Sequence, residues 1–479
     1  MDIGWMSAVE LAGALRRKEL SALEALQAVI DRCEAVNPAI NAIALPLYER
    51  ARASAQQADR LLARGEGGPL TGVPITVKDS QWLAGVRCAN GSRTLADFVP
   101  QETSAAVARL EEAGAVIFAK TTCPEFSYIG VTTSEFYGTT ANPWDHSRTP
   151  GGSSGGAGAA VAAGLGPLSL GGDGGGSVRI PAAFCGLVGF KPSFGVVPRE
   201  PCFPTWKSLV AYGPLARSVA DARLMFEVMA GFHPGDRHST EPHDHANDDL
   251  ALGDFAVVAS EDLGFAPLDR DVRQAFQATM RRLEGAGARI LWDQPGLGSS
   301  VQPWATTAFA DAWVSDRQHL ELRPETLGEI TRELLAFGSA FELDDFVAAQ
   351  HAREHIHRAY LELFERTGAH VLVTPTLGCE AFGHGRRWPE RIGNTEILPP
   401  WVDWAGFLYD ANLAGFPACA LPIGLGDEAL PVSLQILGRR GEDRRVLAVA
   451  ERLEEIIAWP GRYPELAGHG MMNGTRLSA

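Results

Sequence analysis

The stretch Gly151 to Pro192 reads GGSSGGAGAAVAAGLGPLSLGGDGGGSVRIPAAFCGLVGFKP, and its reading decides the fold. Twelve of its first 26 residues are glycine. Glycine at that density serves backbone that takes positive φ or approaches another group closely. The run Gly174-Gly175-Gly176-Ser177 has the makings of a nest, in which successive backbone N–H groups converge on an anion. Such a nest stabilises a developing oxyanion, and a serine at its end is a candidate nucleophile. A flexible linker is the competing reading. Three features oppose it: the stretch lies mid-chain, its span from Ala157 to Leu170 is nearly uncharged, and Val178 to Cys185 is too apolar for a solvated linker.

Taken with a second segment, this stretch resembles the amidase signature family. The resemblance rests on the GGSSGG at Gly151, on Gly-Gly-Ser-Val-Arg-Ile-Pro-Ala-Ala-Phe-Cys-Gly ending at Gly186, and on Ser153 and Ser177 standing 24 residues apart. Upstream, Gly72-Val-Pro-Ile-Thr-Val-Lys78-Asp79 matches the family's lysine segment. Downstream, Asn412 to Pro417 and Leu430 to Gly438 resemble its closing motifs. The resemblance implies an α/β fold with a large twisted mixed β-sheet flanked by helices on both faces. It implies a serine hydrolase that cleaves carboxylic amides, aryl or alkyl, with esters and carbamates (urethanes) as further substrates. By the same resemblance, Ser177 is the nucleophile, Lys78 the base and Ser153 the relay on a cis peptide. Backbone N–H groups of Gly174, Gly175, Gly176 and Ser177 are the expected oxyanion donors. Ser154, Asp173 and Arg179 are expected to support them, the last two by pairing.

The lysine carries a strict requirement. A free lysine titrates near ~10.4 and is no base at neutral pH. Desolvation lowers that value, and the apolar strand pattern at 73–77 fits desolvation. Alternation puts Ile75 and Val77 on one face and Thr76 and Lys78 on the other. The aromatic loop segment 121–143 is expected to line the substrate cleft, with Glu125, Phe126, Tyr128 and Ile129 as candidate contacts. Trp206 is a further candidate, and with Trp304 and Trp313 it hints at an aryl or otherwise apolar group. One departure from the family stands out. Its loop usually carries threonines where this chain has Gly172 and Gly174. The nest survives because its donors are backbone. A looser loop and a roomier cleft beside Gly174 are the two expectations.

The remainder of the chain sets limits. Its 479 residues with 46% hydrophobic and 21% charged residues suit one large globular domain with insertions. Residues 1–65 read as helices packed on a core formed by 66–230 and 365–460, and 231–364 as a mostly helical insertion at the substrate entrance. Within the insertion, strands are expected at Phe255–Ala259 and Arg289–Trp292. The net charge of −16 disfavours nucleic acid and anionic membranes. The seven cysteines form no C-x-x-C pair, so no zinc ribbon or disulfide scaffold is indicated. His233, His238, His243 and His245 read as a polar loop rather than a metal site, and no metal or cofactor is expected. Without a leader pattern or a spanning apolar run, the expected location is the cytoplasm. The expected partner is a small amide, ester or carbamate; a homodimer stays open.

Two rival readings remain on the residues. Gly151-Gly-Ser-Ser-Gly155 also fits the G-x-S-x-G elbow of α/β-hydrolases, which would make Ser153 the nucleophile of an esterase. That elbow needs a strand immediately before it, and 142–150 does not read as one. The other rival is the amidase subunit of a glutamine-dependent tRNA amidotransferase, a family member that works with partner subunits.

Overall fold

The computed structural model describes residues 3–242, 256–398, 403–459 and 464. His243 and His245 lie outside them. Eleven strands form one mixed sheet. In chain order the strands are β1 (Ile43–Pro46), β2 (Pro74–Lys78), β3 (Val116–Thr121), the short pair β4 (Thr133–Ser134) and β5 (Gly138–Thr139), β6 (Leu168–Asp173), β7 (Val188–Lys191), β8 (Ala211–Ala216), β9 (Ala256–Ala259), β10 (Arg289–Trp292), β11 (Val371–Pro375), the short pair β12 (Arg391–Ile392) and β13 (Thr395–Glu396), β14 (Ala418–Leu425) and β15 (Pro431–Gly438). The sheet order is β1-β3-β2-β6-β8-β7-β14-β15-β11-β9-β10. Strands β3, β2 and β6 run parallel near one end, and β11, β9 and β10 run parallel at the other. The strands between them pair antiparallel.

Both faces of the sheet are buried, and the period of two sorts residues between two cores. Val257, Ala259, Val371 and Val373 join the cluster under the amino-terminal helices. Their neighbours Val258 and Leu372 join the cluster under the inserted helices. On β2, Ile75 and Val77 join the first cluster, which leaves Thr76 and Lys78 to the opposite face.

The helices are α1 (Ala8–Arg16), α2 (Ala22–Ile40), α3 (Tyr48–Ala63), α4 (Ala105–Glu112), α5 (Gly155–Ala162), α6 (Arg179–Cys185), α7 (Val219–Met229), α8 (Arg270–Gly285), α9 (Val301–Leu322), α10 (Glu329–Gly338), α11 (Leu343–Thr367), α12 (Tyr409–Leu413) and α13 (Asp443–Ile457). Helices α1 and α2 open with capping boxes, Ser7 with Glu10 and Ser21 with Glu24. Two findings differ from a helical reading of the ends of the chain's segments. Residues 1–65 also supply β1, an edge strand on β3. Residues 231–364 supply β9 and β10, which extend the sheet itself.

Candidate active site

Strand β2 ends at Lys78, whose side chain is 1% exposed, and its neighbour β6 ends at Asp173. The parallel β2–β6 pairing sets these two strand ends side by side. The chain leaves β6 through the nest 174–177 and enters α6. Gly176 has φ +115°, a conformation open to glycine. Ser153 lies just before α5, and the Gly152–Ser153 peptide is cis. Lys78 Nζ stands 2.7 Å from Ser153 Oγ and donates to it. Lys78, Ser153, Ser177 and Gly174 line a single cavity, together with Phe126 and Trp206. Ser154 N–H donates to the Ser177 carbonyl (3.2 Å), which ties the two serine segments together.

Burial lowers the Lys78 pKa to about 8, against the opposing pull of Cys123, Asp173 and Asp79. Asp79 weighs last among these. Its carboxylate faces Lys120 at 3.5 Å and accepts from Tyr137 Oη at 2.9 Å. A neutral lysine is thus accessible close to physiological pH, as a base requires.

The nest is held by a buried ion pair. Arg179 Nε and Nη2 donate to the two oxygens of Asp173, each at 2.9 Å, and both side chains are fully buried. Burial alone would raise the Asp173 pKa, but the Arg179 charge and hydrogen bonds hold it well below the usual carboxylate range. The remaining Arg179 donors reach Gln435 Oε1 (2.6 Å), Asn412 Oδ1 (2.6 Å) and the Leu408 carbonyl (3.0 Å). Every strong donor of a buried guanidinium is therefore met, the condition under which such a pair is tolerable. Ser154 Oγ bridges to Gly172, accepting its N–H and donating to its carbonyl at 3.3 Å.

Three expectations change. Gly176 N–H donates to Asp173 Oδ1 at 2.8 Å, so it is committed to holding the loop. The donor set left for an oxyanion is Gly174, Gly175 and Ser177. Glu125 lines neither cavity at the serine. Its carboxylate accepts from Ser92 Oγ (2.7 Å), Gly328 N (2.8 Å) and Thr331 Oγ1, and so joins three loops. The space beside Gly174 is not open, because Trp206 fills it: a Cβ on Gly174 would lie 2.7 Å from Trp206 Cε3.

Phe126, Tyr128, Ile129 and Trp206 do lie at the site. Phe126 and Trp206 line the cavity of Lys78 and Ser153. Tyr128, Ile129 and Trp206 line a second one that also reaches Ser177. The sequence reading missed Ser80, Asn90, Arg199, Thr205 and Tyr212 in the first, and Trp404 and Tyr409 in the second. Ser80 follows the lysine segment directly and was within reach of that motif. The others come from loops with no motif of their own. Segment 142–150 holds no strand, only an isolated bridge at Arg148, so an elbow at Ser153 lacks its strand. Among the described residues no cluster of three or more His, Cys, Asp or Glu is arranged to hold a metal ion. No described helix is long and apolar enough to cross a membrane.

The family model described as Amidase matches residues 24–447. An acylamidase of Rhodococcus erythropolis is 34% identical over 97% of this chain and 98% of its own length. The amidase-type subunit of the glutamyl-tRNA(Gln) amidotransferase of Geobacter metallireducens is 33% identical over 96% of this chain and 99% of its own. Among solved structures, a bacterial aryl acylamidase of the amidase signature family superposes with a TM-score of 0.90 at 27% identity, covering 98% of this chain and 100% of its own. A 6-aminohexanoate cyclic dimer hydrolase does so with a TM-score of 0.85 at 28% identity, covering 97% and 100%.

Proposed function

The chain belongs to the amidase signature family and is an amide-hydrolysing enzyme, and from that premise we propose that it cleaves aryl or alkyl amides through an acyl-enzyme on Ser177. The observation that carries the proposal is the 2.7 Å contact of buried Lys78 with Ser153 inside the cavity that Ser177 also lines. Lys78 in its neutral form takes the Ser153 proton, and Ser153 takes that of Ser177. Ser177 Oγ then attacks the amide carbon. The carbonyl oxygen gains the negative charge and is met by the N–H groups of Gly174, Gly175 and Ser177, a type of stabilisation worth about 2.7–4 kcal/mol per donor. Collapse of the tetrahedral species breaks the C–N bond. The proton held by Lys78 returns through Ser153 to the leaving nitrogen. Water, deprotonated by the same pair, then releases the acid. Asp173 and Arg179 touch no reacting atom and act by fixing the nest.

Esters and carbamates present the same carbonyl to the same nucleophile and are proposed as further substrates. The similarity to an acylamidase and to an aryl acylamidase supports an aryl amine as leaving group. A second reading is favoured by the similarity to glutamyl-tRNA(Gln) amidotransferases: the same centre would then release ammonia from glutamine. The experiment is labelling with a serine-directed fluorophosphonate and peptide mapping, followed by turnover of acetanilide and of glutamine. The expected result is an adduct on Ser177 that is lost in Lys78→Ala, with acetanilide cleaved and glutamine left intact. An adduct on Ser153 would overturn the mechanism. Glutamine turnover without anilide turnover would favour the amidotransferase reading.

A further inference from the structure

Ser177 stands between two cavities of different character. One encloses about 550 Å³ and is lined by polar groups that include Ser80, Asn90, Arg199 and Thr205. The other encloses about 350 Å³ and is walled by Tyr128, Trp304, Trp404, Tyr409, Ile129 and Ile180. Trp206 lines both. Lys78 and Ser153 line only the polar one.

The reaction assigns the two sides. The leaving nitrogen must receive its proton from the Lys78–Ser153 pair, so the amine departs on the side that pair lines. The acyl group must then extend the other way from Ser177, into the aromatic cavity.

The wall is built to stay in place. Trp206 has φ +57°, a conformation a bulky side chain rarely adopts. Its backbone N–H donates to Asp311 Oδ1 at 2.8 Å, and the hydroxyl of the preceding Thr205 donates to Asp316 Oδ2 at 2.7 Å. Both acids lie on α9. The Tyr128 hydroxyl donates to the same Asp316 oxygen, and its ring stacks on Trp206 at 5.6 Å. Trp304 packs edge-on at 5.7 Å and donates from Nε1 to the Gly174 carbonyl at 2.8 Å. The Trp206 indole N–H is itself buried without an acceptor among the described residues, which leaves a donor in the wall for a bound molecule.

The glycines complete the device. A Cβ on Gly174 would come within 2.7 Å of Trp206, and one on Gly175 within 2.4 Å of Trp304. The missing side chain at Gly174 is therefore matched by the indole. Resting on the acyl-enzyme reading, we propose that Trp206 is the specificity-determining wall of this cleft. It divides an aromatic acyl compartment from a polar amine compartment and restricts the acyl group to compact apolar ones.

The test measures kcat/KM for two anilide series, one with the acyl group lengthened from acetyl to decanoyl on a fixed aniline, the other with the amine varied on a fixed acetyl. In Trp206→Ala the decanoyl-to-acetyl ratio is expected to rise about tenfold or more, the scale by which a pocket discriminates methylenes, while the amine series moves less than about threefold. Trp206→Phe keeps a wall and should hold the wild-type ratio. Gly174→Ala should shift the ratio by displacing Trp206, and add nothing to it in the Trp206→Ala background. An unchanged acyl ratio in an active Trp206→Ala enzyme overturns the proposal, as does an equal change in both series. If Trp206→Ala does not fold, the Phe variant and Gly174→Ala decide by the same ratio. Failure of the underlying reading looks different: the wild type itself would cleave no anilide and Ser177 would take no label.

Discussion

The nest after β6 and the wall at Trp206 both face Ser177, and they are made in opposite ways. The nest offers backbone N–H groups, and its position is fixed by a fully buried ion pair with Asn412 and Gln435 behind it. The wall offers side-chain surface, and its position is fixed by two acids on an inserted helix. Chemistry common to all amides needs only a nucleophile, a base and an oxyanion site. Those are served by backbone that any side-chain substitution leaves in place. Selection among amides needs shape, and shape comes from indole and phenol rings that a single substitution alters. The comparison predicts that damage to the nest lowers turnover of every substrate alike, whereas damage to the wall redistributes it.

The largest effects belong to the reacting groups. Ser177→Ala should lower kcat by at least about 10⁴-fold for every anilide, the scale seen when a serine nucleophile is removed. Lys78→Ala should cost about 10²–10⁴-fold, as loss of a general base does. The base also sets the pH dependence. Burial lowers its pKa to about 8, and the neutral form is the active one. The rate with wild type should therefore rise with pH through about 8 and level above it. A rate–pH profile that is flat from 6 to 10, or that falls across this range, would remove Lys78 from the base role.

Next comes the support of the nest. Arg179→Met leaves the Asp173 carboxylate buried without its cation, and removal of one partner from such a pair costs about 3–5 kcal/mol. Thermal or denaturant unfolding should show that loss. In whatever fraction folds, all substrates should be cleaved more slowly by a common factor. A change in acyl preference instead would break the distinction between nest and wall. Asp316→Ala tests the other side. It strips the acceptor from Tyr128 and Thr205, and a buried donor left unmet costs about 1–3 kcal/mol. Here the acyl preference should move in the direction of Trp206→Ala.

How far the sequence carried the reading follows from the same distinction. Ser153, Ser177 and Lys78 were legible because glycine-flanked serines and a lysine closing an apolar strand leave a local trace. The alternation at 73–78 placed Lys78 opposite Ile75 and Val77, and the two cores confirm that sorting. The partnership of Asp173 with Arg179 was legible as charge placed at both ends of one loop. The wall was not. Trp206 had no periodic context, and its supports Asp311 and Asp316 lie about a hundred residues further on, in a helix whose acids read as ordinary solvated charge. Gly174 was visible as a departure, yet whether space or a ring replaced the missing side chain depends on a contact between loops that no local pattern encodes. Glu125 misled for the same reason: an acid in an aromatic loop looks like a substrate contact until Gly328 and Thr331 are brought against it.

The two glycines that stand where threonine is usual give the finest version of the comparison. A Cβ on Gly172 would meet Tyr212 Cδ1 at 3.4 Å, ordinary van der Waals contact, whereas on Gly174 it would meet Trp206 at 2.7 Å. Gly172 also has no positive φ. An alanine there narrows the unfolded ensemble, which stabilises by about 0.4–1 kcal/mol where the native backbone accepts it. Gly172→Ala should therefore leave the midpoint of unfolding unchanged or slightly raised, with the ratio of decanoyl to acetyl anilide turnover as in wild type. Since the two positions sit on the same loop two residues apart, a shift of that ratio by Gly172→Ala would mean that the loop as a whole sets acyl preference. The wall at Trp206 would then be a consequence of the loop's position rather than its own device.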